Sequence, residues 1–263
     1  MRERCKYFFM PFILARFLPY LLPLFYLIIG QLLFYLPDYW WLILLLMLGA
    51  NLFYFWLLRN RQDKKADWLF LFYAEILAAT GFLNLLILEN KLIINIFLLL
   101  WSAMYFFYLE AYFHYFYPRP QPNLFALKNL IAYFNVVIIF FLLSALINFN
   151  IFFNLPWLWI LFITFGANLF LLRQIFFAQG ANFIASWQYL LVIDAILTEL
   201  LLALSFWPVS FYVIAAVYTL AYYCLISLSL WHYQKILKRR IVWRQLLLAA
   251  IALLLILTTA KWF

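Results

Sequence analysis

The sequence predicts an all-α fold, a polytopic bundle of about nine transmembrane helices. Three observations carry this. The chain is 71% hydrophobic and only 10% charged, and no water-soluble domain can hide that much apolar surface. Apolar runs of about 20 residues recur along its length, each enough to cross a hydrocarbon core of ~30 Å. Basic residues collect in alternate loops, as the positive-inside rule requires.

The nine expected spans are 17–36, 39–58, 68–88, 92–117, 130–149, 157–177, 187–206, 209–232 and 242–260. The first follows MRERCK. It lacks a small-residue cleavage site and runs on to Leu36, so it reads as an uncleaved helix rather than a signal peptide. The second, WWLILLLMLGANLF onward, ends at the charged stretch RNRQDKKAD. The third opens WLFLFYAE and the fourth closes AMYFFYLEAYFHY. The fifth is an unbroken apolar run. The sixth, WLWILFITFGANLF onward, ends near Arg173. The seventh opens WQYLLVID and the eighth closes AYYCLISLSLWHY. The ninth is the least regular, because Arg244 must snorkel to the interface.

With the N-terminus in the cytoplasm, sixteen Lys and Arg fall on that side and two, Lys91 and Lys261, fall outside. That bias accounts for the net charge of +9 without nucleic acid. It predicts a multi-pass protein of the plasma or inner membrane with an external C-terminus. Trp40, Trp41, Trp157, Trp159, Trp207 and Trp262 then mark outer helix ends. Trp56, Trp68, Trp187, Trp231 and Trp243 mark inner ends, as in an aromatic belt.

The pentapeptide GANLF occurs at 49–53 and again at 166–170, using two of only five glycines. At this offset of 117, Trp40 meets Trp157 and Asn51 meets Asn168. On the next span Glu75 and Asp194 each follow a Trp by seven residues. The only two histidines, His114 and His232, align at an offset of 118. Such ordered self-similarity predicts a tandem duplication of a four-helix unit, 1–117 and 130–236, with the terminal helix 242–260 appended. Four spans per unit make the copies parallel. Gly49 and Ala50 are expected to let a neighbouring helix approach closely while Asn51 bonds across it.

Ionisable groups in a bilayer are expensive and are candidate functional residues. In the seventh span Asp194 and Glu199 cost ~2.5–3.5 kcal/mol each if charged at the centre, which its apolar residues offset only to near zero. That helix therefore needs partners for its acids or carries them protonated. Glu75 and Asp194 lie about two turns from the cytoplasmic helix ends, at the depth of Asn51 and Asn168. Glu110 and His114 share a face four residues apart. Asp194 shares a face with Thr198, while Glu199 points ~140° away. His232 completes the candidate set. Structural alternatives stand beside each. Carboxyl–Asn bonds can simply fasten helices, and a histidine near a helix end can sit among headgroups.

Two histidines are too few for a metal centre. Cys5 and Cys224 make no disulfide framework. No phosphate loop, dinucleotide fingerprint or nucleophile elbow is present. No cofactor is expected. The expected partners are membrane lipids and an unidentified small molecule or ion. The leading functional expectation is a small membrane carrier or membrane-embedded binding protein with a polar site between two four-helix halves. The alternatives are an enzyme acting on a lipid-linked substrate at the cytoplasmic leaflet through Glu110 or His114, and an accessory or sensor subunit without chemistry.

Overall fold

The computed structural model describes residues 2–35, 37–59, 68–116, 124–179 and 183–260. Among them are nine α-helices: α1 Arg2–Tyr35, α2 Trp40–Arg59, α3 Trp68–Leu85, α4 Lys91–Phe116, α5 Leu124–Phe153, α6 Trp157–Ala178, α7 Phe183–Leu204, α8 Phe211–Tyr233 and α9 Arg239–Thr259. A short 3₁₀ turn, Pro37–Tyr39, precedes α2. In hydrocarbon each backbone N–H and C=O needs an internal partner, and a helix supplies one within the segment.

Seven of these helices are long and apolar enough to cross a membrane: α1, α4, α5, α6, α7, α8 and α9. The chain is thus a helical, multi-pass membrane-type protein. Within the described residues, the apolar stretches of α2 and α3 run Trp41–Leu57 and Leu71–Leu85.

The chain forms two compact units, residues 1–131 and 132–263, which divide within α5. In the first unit the helices close a ring: α1 packs on α2, α2 on α3, α3 on α4, and α4 back on α1. Gly30 lies close against α4, where a Cβ would overlap the tip of the Leu98 side chain. Ser102 on α4 donates to the Pro23 carbonyl of α1 at 2.8 Å, and Gln31 donates to Asn95 at 2.6 Å. Tyr20 and Phe106 add a ring contact at 5.2 Å. In the second unit α6 packs on α7, α7 on α8, and α8 on α9.

The helices carrying GANLF are alike in more than sequence. From Trp41 to Leu57 and from Leu158 to Gln174, exposed positions match exposed and buried match buried, except at Leu52/Leu169 and Phe53/Phe170. The expected role of the glycine is not observed. Gly49 and Gly166 face outward, and a Cβ at either would meet nothing within 4 Å. Two residues turn an α-helix by ~200°, so burying Asn51 or Asn168 turns its glycine away from the neighbouring helix.

α8 ends in a left-handed residue, Lys235, at φ 58°. Its N–H reaches the His232 carbonyl at 3.0 Å and the Ile236 N–H reaches Trp231 at 3.0 Å. These bonds close the helix as a Schellman motif, where glycine is the favoured residue. Lys235→Gly is expected to raise stability by ~0.5–1 kcal/mol, seen as a higher unfolding temperature in detergent. A lowered temperature contradicts this account of the cap.

Candidate functional site

Each unit gathers an Asn, an acid and a Tyr from three successive helices. In the first unit α2 buries Asn51, whose Oδ1 accepts a hydrogen bond from the Tyr105 hydroxyl of α4. α3 brings Glu75 beside both Asn51 and Tyr105. Glu75 Oε1 and Asn51 Nδ2 are buried but complete no hydrogen bond of good geometry. The two groups are neighbours, as their matched depths implied, yet the bond Asn51 does form is to a tyrosine.

The second unit repeats the arrangement with α6, α7 and α8. Asn168 is fully buried, and its Nδ2 lies 2.5 Å from the Tyr218 hydroxyl. Asp194 is also fully buried, next to Asn168 and Tyr218, and neither of its carboxyl oxygens has a hydrogen-bond partner. Turning the Asn168 amide by 180° would let Oδ1 accept from Tyr218, as Asn51 accepts from Tyr105, and would present Nδ2 in place of the unbonded Oδ1. An amide orientation is assigned by the network it satisfies. One helical turn further, Tyr222 is buried against Asn135 of α5, whose Nδ2 donates to the Leu171 carbonyl at 3.0 Å.

The remaining candidates lie elsewhere. Thr198 donates to the Asp194 main-chain carbonyl at 2.8 Å, so its hydroxyl is engaged by its own helix. Glu199 is exposed on another face of α7. Glu110 and His114 do come together, at 3.0 Å, and Arg16 of α1 reaches the same Glu110 oxygen at 2.8 Å. Arg16 also lies 5.1 Å from the Phe113 ring centre. This cluster clasps α1 to α4. His232 has a different partner, with Nδ1 2.9 Å from the Tyr189 hydroxyl of α7. The two histidines therefore match in sequence position but not in contacts.

The tyrosines were missed by sequence reasoning. The repeat gave no usable signal for them: the offset of 117 pairs Tyr105 with Tyr222, whereas the tyrosine beside Asn168 is Tyr218, 113 residues after Tyr105, and the chain has 19 tyrosines. Among the described residues no three His, Cys, Asp or Glu side chains converge in a way that could hold a metal ion. No protein-family model, curated protein or solved structure matches the chain.

Proposed function

We propose that this protein is a small membrane carrier or membrane-embedded binding protein, built from two copies of a four-helix unit, in which Glu75 and Asp194 are proton- or cation-linked groups. One observation carries the reading. The second, third and fourth helices of each unit bring Asn, acid and Tyr together, and the acid keeps at least one buried oxygen without a hydrogen bond, Oε1 of Glu75 and both oxygens of Asp194. A buried carboxylate with no cation beside it is costly in a bilayer, and a proton or a bound cation removes that cost. The repeated burial pattern of α2 and α6 supports the duplication. Each acid draws its polar neighbours from its own unit, which favours one site per unit over the single shared site expected from sequence.

In this reading α2 and α3 also cross the bilayer, giving nine spans with the N-terminus cytoplasmic and the C-terminus external. Reporter fusions after Lys64 and Arg240 test this; an external signal at either position removes it. The enzyme alternative is less favoured, because Arg16 holds the Glu110 carboxylate that would act as its acid or base.

A hydrophobic carbodiimide reacts with protonated carboxyls in apolar surroundings and so tests the two acids. In native membranes it is expected to modify Glu75 and Asp194, detected by peptide mass. Modification should fall as the aqueous pH is raised, because only the protonated carboxyl reacts. Protection by an added cation at fixed pH identifies cation linkage. Modification indifferent to both pH and cations makes the acids sealed packing groups and rejects the proposal.

A further inference from the structure

α1 and α4 of the first unit are fastened along their length. The corresponding pair in the second unit, α5 and α8, instead borders a cleft of about 400 Å³. Its walls include Val137, Phe140 and Phe141 of α5, Ala216 and Leu220 of α8, and Ile256 of α9. The polar groups at its edge offer little. Thr219 is turned onto its own helix, donating to the Ala215 carbonyl at 2.7 Å. Tyr223 is 43% exposed. α9 borders the cleft but is itself peripheral, with Gln245 as its one buried residue.

The cleft is an open groove with an almost wholly apolar lining, so an apolar occupant gains dispersion contacts along it. Water does not fill it, since a bound water needs two to four polar partners. All three bordering helices are long and apolar enough to cross a membrane, so the surrounding medium is hydrocarbon. Along α8 the lining runs from Ala216 to Tyr223, about 8 to 18 Å from the Phe211 end. A leaflet's hydrocarbon is ~15 Å deep, so the depth suits a single chain entering from that side. The basic residues Lys235, Lys238, Arg239 and Arg240 lie beyond the opposite end of α8.

From this we propose that the cleft bordered by α5, α8 and α9 is a binding site for one acyl chain of a membrane phospholipid. The chain enters from the leaflet on the Phe211 side of α8, and its methylenes supply the contacts that α1 and α4 make directly with each other. The site is independent of the acid clusters and does not depend on the carrier reading.

The test uses the full chain in phosphatidylcholine vesicles containing a small fraction of phosphatidylcholine with a diazirine near the end of one acyl chain. After illumination, peptide mapping should find adducts at Phe140 and Tyr223 several-fold above those at Phe162 and Ile163. The latter pair lies on the exposed face of α6 and reports ordinary surrounding lipid. Val137→Trp, which fills the cleft, should lower the Phe140 and Tyr223 adducts to the surrounding-lipid level and leave Phe162 unchanged. Ala216→Leu makes the same test with less added bulk if the tryptophan variant elutes as aggregate. Wild-type adducts at the cleft no more abundant than at Phe162 overturn the proposal. So do cleft adducts undiminished in a folded filling variant.

Discussion

Gly81→Ala is expected to destabilise the protein by ~2–4 kcal/mol. Gly81 is buried on α3, and a Cβ there would overlap the Tyr26 hydroxyl and the Trp101 indole. Neither can withdraw freely. The Trp101 indole N–H donates to the Leu77 carbonyl at 2.8 Å, and its ring stacks on Phe97. Tyr26 is fully buried against Phe82 and Tyr105. Moving the indole breaks a buried hydrogen bond, and leaving it in place forces an overlap. The Tyr26 hydroxyl makes no hydrogen bond, so Tyr26→Phe should be nearly neutral alone and should recover part of the loss in combination with Gly81→Ala. Unfolding temperatures of the four proteins of this cycle decide the matter. An unchanged Gly81→Ala protein removes the close approach, and a double variant no better than the single assigns the clash to Trp101 alone.

Asn51→Leu should cost ~1–3 kcal/mol, because it leaves a buried tyrosine hydroxyl without its acceptor and Glu75 without its polar neighbour. Replacing both ends of a buried hydrogen bond by apolar groups is far milder than replacing one. Asn51→Leu with Tyr105→Phe should therefore recover much of the loss, with any remaining deficit reporting the contact to Glu75. Thermal unfolding in detergent measures each. An undiminished unfolding temperature in Asn51→Leu contradicts the energetic role given to this cluster, and a double variant weaker than Asn51→Leu contradicts the assignment to Tyr105.

The helices were legible in the sequence because their cause is local: long apolar runs in a bilayer have few options besides a helix. The depth match of Asn51 with Glu75, and of Asn168 with Asp194, was legible for the same reason, since a fixed rise per residue converts spacing into depth. Glu110 and His114 met because four residues make one helical turn. Their capture by Arg16 was not readable, because it depends on which helix α4 packs against. Nor was the preference of Asn51 for Tyr105, since rotation about the α2 axis is set by packing. The cleft beside α8 had no sequence signal at all, because a gap arises from how side chains of three helices fail to fill a space.

The outward-facing glycines bear on ancestry. Convergence reproduces residues that perform the same task, and a buried Asn contacting Tyr could arise twice under the same demand. Gly49 and Gly166 would meet no neighbour even with a Cβ added, so the contacts of this fold place no demand on their identity. A shared residue without a shared task is what descent from one ancestral segment leaves behind. For the proposed duplication, the informative half of GANLF is thus the half that touches nothing.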